Sequence, residues 1–309
     1  MKTKQKYNNK EIYGGIIGDM VGSIYEWKPI KDKAYDKSFS YWKGPMLFHH
    51  DGLPNYGSRF TDDTVCGLAI ANALCKFVGP SKLFFDLIPN EKKCKELFVK
   101  SLKELCPKYE WVGYGERFYM WVVSHYNDEP YGSYGNGSAM RVFPIGLFYP
   151  LKPGNYDLVL KKTRELARWS AQITHDHPEG IKGAESVAAA MVMARAGKSK
   201  DEIREYIEAE FEYDLHRDLD VIRKDYQFDV SCQGSVPESI LCFLKGENFE
   251  ECIRYAVTMG GDADTMGCMT GAIAGCFHDI PNKMIKQCRA RLDQELIDII
   301  DRFEQTVIL

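Results

Sequence analysis

Two short acidic stretches carry the residues best suited to chemistry. "FTDDTV" (Phe60 to Val65) sets Asp62 beside Asp63 between two threonines, and "GGDADTMG" (Gly260 to Gly267) places Asp262 and Asp264 two positions apart ahead of Thr265. Successive helical residues turn by about 100°, so Asp62 and Asp63 diverge if helical and suit two different ions better than one. The same rotation would send Asp262 and Asp264 to nearly opposite sides of a helix. If they share a partner, the chain must turn there, and a cation must hold the two charges. The stretches offer four carboxylates and the hydroxyls of Thr61, Thr64 and Thr265, with no histidine or cysteine inside either motif. Hard oxygen ligands of this kind select Mg²⁺ or Mn²⁺ over zinc. A simpler role exists for each stretch alone: Thr61 as a helix N-cap, with acids complementing the helix dipole. Two such stretches point further, because four carboxylates at two helix starts repel one another strongly if those ends meet without cations.

Helices able to bring such ends together are visible in their small residues. Gly14, Gly18 and Gly22 recur every four positions, as do Gly267, Gly271 and Gly275, and residues 184–190 are mostly alanine. In a membrane this spacing would suggest helix association, but the aspartates and short apolar spans exclude that, leaving close backbone approach in a central bundle. Helical periodicity recurs elsewhere while alternation is scarce. "DDTVCGLAIANALCKF" spaces Val65, Leu68, Ala69 and Leu74 on one side. "EGIKGAESVAAAMVMARAG" follows Pro178 and ends at Gly197, a helix start and stop. Pro237 is read as starting another helix, "NFEECIRYAVTMGG" as one ending at Gly260 and Gly261, and "MIKQCRARLDQELIDIIDRFEQTVI" as a single closing helix. The expected fold is all-α, a compact bundle in one domain spanning 1–309, with its core over 10–309. Residues 28–59 are read as a long surface loop and 216–233 as irregular. His49, His50 and Asp51 in that loop read as a polar turn.

Three further stretches belong with the acids. In "GDMVGSIYEW", Asp19 and Glu26 lie on either side of Gly22, and Glu26 either reaches a site at the helix end or is solvated. "VGYGER" (Val112 to Arg117) and "YGNGSAMRVFPIG" (Tyr134 to Gly146) are glycine-rich turns of the kind that aim backbone N–H groups at phosphate oxygens. "ITHDHPEG" holds His175 and His177, which lack further zinc partners and read as hydrogen-bonding groups at a pocket rim.

Bulk properties narrow the class. The 309 residues are 45% hydrophobic and 27% charged with a net charge of −4, so no basic footprint indicates nucleic acid. No run of roughly 18 apolar residues could span a membrane, and no apolar segment before Gly14 resembles a signal peptide. The ten cysteines show no C-x-x-C spacing and read as reduced core thiols; a cytoplasmic protein is expected.

In order, the motifs "GGIIGDMVGSIYE", "FTDDT", "GNGSAMR", "THDHPEGIKGA" and "GGDADT" resemble those of the ADP-ribosylglycohydrolase family, which includes dinitrogenase reductase-activating glycohydrolases and ADP-ribosylarginine and ADP-ribosylserine hydrolases. The resemblance implies an orthogonal all-α bundle with a central binuclear cleft holding two Mg²⁺ or Mn²⁺. It implies metal ligation by Thr61, Asp62, Asp63, Asp262, Asp264 and Thr265. It also implies binding of ADP-ribose by Gly113, Tyr114, Gly115, Asn136, Gly137, Ser138, Met140 and His175, with Tyr114 a possible adenine stacker. Glu26 matches a mobile-loop glutamate at the reaction centre of some members. Glycosidic cleavage develops oxocarbenium character at the ribose, and Asp62, Asp63, Asp262 or Asp264 would accept a proton from water with Glu26 as acid, base or orienting group. The expected substrate is an ADP-ribosylated protein or small molecule, with ADP-ribose as product. The acceptor stays open between arginine, serine, a nucleobase and a metabolite. A crystallin-like non-catalytic member and a nucleotide phosphodiesterase are the competing readings.

Overall fold

The computed structural model describes residues 10–26, 57–78 and 90–307. The helices are α1 Ile12–Gly22, α2 Asp62–Val78, α3 Glu91–Leu105, α4 Glu116–Val123, α5 Gly137–Met140, α6 Phe143–Phe148, α7 Tyr156–Gln172 and α8 Pro178–Arg195. They continue with α9 Lys200–Phe211, α10 Leu219–Asp225, α11 Cys232–Lys245, α12 Phe249–Val257, α13 Ala263–Phe277, α14 Asn282–Arg289 and α15 Gln294–Val307. A 3-10 helix over Cys106–Val112 bridges α3 to the turn before α4. Among the described residues the fold is all-α; one isolated bridge, Gly135 to Ser231, is the extent of the β pairing.

Local sequence explains most helix ends. Ser199 and Glu202 form a reciprocal capping box on α9, and the side chains of Asn90, Ser231 and Asn248 accept backbone N–H bonds at the starts of α3, α11 and α12, satisfying donors that helix geometry leaves unpaired. His177 caps α8 by accepting from Glu179 N, ahead of Pro178 at a position where its missing N–H is harmless. Gly197, at φ +76°, ends that helix.

Three elements depart from the sequence reading. Helix α11 begins at Cys232, five residues before Pro237, because the Ser231 side chain supplies the cap. Pro237 sits inside it, near enough to the start that the helix continues. The closing segment is two helices, α14 and α15, separated where Asp293 accepts from Leu296 N and restarts the chain. Residues 216–233 contain the two-turn helix α10, capped by Asp218. The expected loop over 28–59 falls almost entirely outside the described residues, as do His49, His50 and Asp51.

At the centre, α1 and α13 make the most extensive helix pairing. Every residue of α1 is buried. A Cβ built on Gly14, Gly18 or Gly22 would stand closer than 3.0 Å to the backbone of α13 at Gly271, Gly267 and Ala263. Only hydrogen side chains permit this approach, so the four-residue glycine spacing is a contact stripe. Helices α8, α11 and α12 pack on α13, and α2 joins α3 and α15, around one contiguous apolar core. All ten cysteines are unpaired, and nine are buried.

Candidate metal centre and ligand cleft

The glycine stripe delivers Asp19, next to Gly18, to the start of α13. Asp19 is fully buried and accepts from Thr61 N at 3.0 Å, Thr61 Oγ1 at 2.7 Å, Thr64 N at 3.2 Å and Thr64 Oγ1. One carboxylate of α1 thus caps α2 across 42 to 45 residues of chain and fixes the acids of α2 against those of α13. Thr265 Oγ1 donates to Asp63 Oδ2 at 3.2 Å, and Asn136 Nδ2 donates to Asp262 Oδ2 at 2.7 Å. Asp262 stands at the N-cap of α13 outside helical conformation, so the chain turns there and both aspartates serve one region.

Two trios of carboxylates result. Oxygens of Asp19, Asp63 and Asp264 lie within 4.8 Å of one another, and so do those of Glu26, Asp262 and Asp264. Asp264 belongs to both. No lysine or arginine forms an ion pair with any of the five aspartates among the described residues. Burial, reinforced by the charges of neighbouring acids, pushes Asp62, Asp63 and Asp264 well above the usual carboxylate range. Burial raises Asp262 too, against hydrogen bonds from Asp264, Asn136 and Thr265. Burial raises Asp19 to about 6, against the lowering effect of its hydrogen bonds from Thr61 and Thr64. A hard divalent cation fits this set: the donors are all oxygen, and Asp63 Oδ1 is buried with no hydrogen-bond partner among the described residues.

A cavity of about 540 Å³ opens above the acids. Glu26, Asp62, Asp262, Asp264 and Thr265 line its acidic end, and Gly113, Gly115, Asn136, Gly137, Met140 and His175 line the rest of the wall together with Arg117, Tyr131 and Arg141. A larger groove of about 1030 Å³ runs along α3 between mixed lysines and glutamates, without a converging acid cluster. Four expected site residues lie off the cavity wall. Asp63 and Thr61 sit in the buried layer beneath it, bonded to Thr265 and Asp19. Ser138 donates to the Gly180 carbonyl at 2.7 Å and holds α5 against α8. Tyr114 stacks on Tyr119 at 6.2 Å and 16° and donates to the Cys106 carbonyl, and it is not among the residues lining the cavity. Phe118, Tyr131 and Phe228 are the aromatic side chains at the cavity instead.

Sequence reasoning gave Asp19 no ligand or bracing role. Its signal was present: it is the only charge in "IYGGIIGDMVG", a helix buried on every side. Arg141, at the end of "GNGSAMR", carries no signal in its spacing that marks it out.

Comparison with known proteins places this architecture. The chain is similar to the solved structure of an ADP-ribosylglycohydrolase-related protein complex, with a TM-score of 0.64, 23% identity and coverage of 99% of this chain and 100% of that one; at that identity the likeness establishes the all-α fold. The chain belongs to the ADP-ribosylglycohydrolase family, whose model matches residues 11–307. It is 25% identical to human ADP-ribosylhydrolase ARH3 (Homo sapiens) over 92% of this chain and 89% of that protein. It is 31% identical to a protein of Archaeoglobus fulgidus, covering 88% of this chain and 87% of the other. It is also similar to the ADP-ribosyl-[dinitrogen reductase] glycohydrolase of Rhodospirillum rubrum, 27% identical over 55% of this chain and 56% of that enzyme. No helix among the described residues is long and apolar enough to cross a membrane.

Proposed function

We propose that the chain is a metal-dependent hydrolase that cleaves the glycosidic bond between ADP-ribose and an acceptor, releasing ADP-ribose. The observation that carries this reading is the pair of carboxylate trios sharing Asp264 at one end of the cavity. Two Mg²⁺ or Mn²⁺ ions would be held by Asp62, Asp63, Asp262 and Asp264 with the hydroxyls of Thr61 and Thr265. Thr61 suits this role because its proton is engaged by Asp19; with Asp63 N donating to the same oxygen at 3.4 Å, one lone pair is left for a cation. Asp19 braces the set. Divalent cations bound there supply Lewis-acid polarisation of oxygen ligands and charge neutralisation.

The chain's own groups supply the remainder. Asp62 and Glu26 face the cavity and are placed to move protons between water, the scissile bond and the leaving group. Gly113, Gly115, Asn136, Gly137, Met140 and His175 would line the ADP-ribosyl group, with backbone approach permitted at the three glycines. The acceptor, an arginine or serine side chain or a small molecule, would project toward Glu26. Ten unpaired cysteines suit a reducing compartment, the cytoplasm.

Proteins carrying ADP-ribose on arginine or on serine, incubated with the enzyme in Mg²⁺, in Mn²⁺ and in excess EDTA, test the proposal. The expected result is free ADP-ribose from at least one linkage in the metal arms and about 100-fold less with EDTA. Equal release in all arms removes the metals from the reaction, and release of AMP removes the glycosidase.

A further inference from the structure

Arg141 lies in the cavity wall at 1% exposure and has no carboxylate partner among the described residues. Its Nη2 donates to the Ser170 carbonyl at 2.6 Å and to Thr174 Oγ1 at 2.8 Å. Thr174 is fully buried, and its Oγ1 stands 2.7 Å from His175 Nδ1. The directions of these bonds follow from valence. A guanidinium only donates, and a hydroxyl has one proton and two lone pairs, so Thr174 Oγ1 accepts from Arg141 and keeps its own proton to give. The acceptor within reach is His175 Nδ1. If Nδ1 carried a proton, the threonine hydroxyl proton would be buried with no acceptor, a bias of roughly 10- to 100-fold against that arrangement. Nδ1 is therefore the bare nitrogen, and the ring proton belongs on Nε2.

The geometry opens Nε2 to the cavity. A Cβ on Gly137 would stand 3.1 Å from it and one on Gly135 would stand 3.6 Å away. Both glycines line the same cavity, and Nε2 has no partner among the described residues. The charged groups around the ring are Arg141 and Arg117; burial first, and then these two cations, drive His175 well below the usual imidazole range. Tyr131 packs against the ring at 6.0 Å, and its backbone N–H donates to the Thr174 carbonyl, so both members of the pair are held in place.

We propose that Arg141 and Thr174 are positioning residues that lock His175 in its neutral Nε2–H tautomer, making it a one-way hydrogen-bond donor to an acceptor oxygen of the ligand. The group it receives is a sugar hydroxyl acting through a lone pair, or a phosphate oxygen. A ligand presenting an N–H or a cation at that point meets a donor and is rejected. The ligand side of this inference rests on the reading of the cleft as an ADP-ribose site; the tautomer does not.

The test is a ¹⁵N–¹H long-range correlation spectrum of the histidine rings in the intact protein, assigned by loss of the His175 signals in His175→Gln. The wild type is expected to show protonated Nε2 and bare Nδ1 at neutral pH. Thr174→Ser keeps that signature, and Thr174→Val, nearly isosteric, gives a mixture of tautomers. ADP-ribose affinity, measured by calorimetry, falls about 10- to 100-fold in Thr174→Val and stays within about threefold of wild type in Thr174→Ser. A wild-type Nδ1–H tautomer, or a doubly protonated ring at neutral pH, overturns the proposal without any variant having to fold. An unchanged tautomer in Thr174→Val overturns the relay. If ADP-ribose fails to bind the wild type while the Nε2–H signature is present, the ligand reading of the cleft falls and the relay stands.

Discussion

Substituting Asp63 by asparagine tests the electrostatic argument most directly, because it predicts opposite effects with and without a cation. Asp63 is 1% exposed, with carboxylate oxygens within 4.8 Å of those of Asp19 and Asp264. Two unit charges at that separation repel by about 3.5 kcal/mol at an effective dielectric of about 20. Partial protonation absorbs some of this, since burial and neighbouring charges hold the folded-state pKa of Asp63 above its ordinary value. An asparagine oxygen in the Oδ2 position still accepts from Thr265, and its NH₂ replaces the unpartnered Oδ1. In EDTA near pH 8, Asp63→Asn should therefore stabilise the fold by about 2 kcal/mol, raising Tm by about 4 °C. The sign with pH is fixed. A raised carboxyl pKa means the native state holds the proton more tightly, so stability falls as pH climbs from 3.8 toward the folded value, and the variant's advantage disappears near pH 4. With Mg²⁺ or Mn²⁺ at about 100 times the wild-type Kd, the wild type gains about 2.7 kcal/mol. A variant binding at least about 100-fold more weakly gains about 0.4 kcal/mol. The order of melting temperatures narrows or inverts, and turnover is lost. Thermal denaturation in both buffers is the assay. A lower Tm for Asp63→Asn in EDTA, or an equal response of both proteins to the ion, would refute the account of these carboxylates as mutually repelling metal ligands.

Two further outcomes follow from packing and titration. Gly18→Ala puts a methyl group closer than 3.0 Å to the Gly267 carbonyl oxygen, and neither backbone can yield without separating α1 from α13. A loss of about 3 kcal/mol, or about 6 °C in Tm, is expected together with weaker divalent-ion binding, because Asp19 moves with the helix; a stable variant with wild-type ion affinity would contradict the contact-stripe argument. Burial, with the charge of Asp301, raises Glu304 to about 7, so its contribution to stability is intact below about pH 4.5 and is lost as pH rises through about 7. Glu304→Gln should raise Tm by about 2 °C at pH 8, after allowance for solvent screening, and leave it unchanged near pH 4.5; scanning calorimetry at the two pH values decides.

How far the sequence could be read depended on whether the relevant physics was local. Helix α8 is legible because Pro178 and Gly197 punctuate it, and the pairing of α1 with α13 is legible because a glycine every fourth residue marks one face of a helix whatever lies opposite. The division between α14 and α15 is harder to see: apolar residues continue through the break, and the determining feature is one carboxylate, Asp293, turning to a backbone N–H three residues on. Tyr114 shows another limit. A tyrosine between two glycines looks available to a ligand, yet its hydroxyl donates to the Cys106 carbonyl and its ring stacks on Tyr119, contacts that leave little trace in a single sequence.

Asp19 carries the deeper lesson about the site. The acids of α2 and α13 are read from their own spacing, but what brings them together is a further carboxylate, on α1, lying 42 positions before the nearest group it binds. That carboxylate is buried by a helix whose remaining residues are apolar or glycine. Had Asp19 been one more ligand in a solvated loop, its four hydrogen bonds to α2 would compete with water. Buried against a glycine-packed partner helix, they have no such competitor. On the proposed metal-dependent reading, the packing of α1 on α13 preorganises the carboxylates for a cation. Substitutions in the glycine stripe should consequently weaken divalent-ion binding as surely as loss of a ligand, although no glycine in that stripe offers a side-chain oxygen.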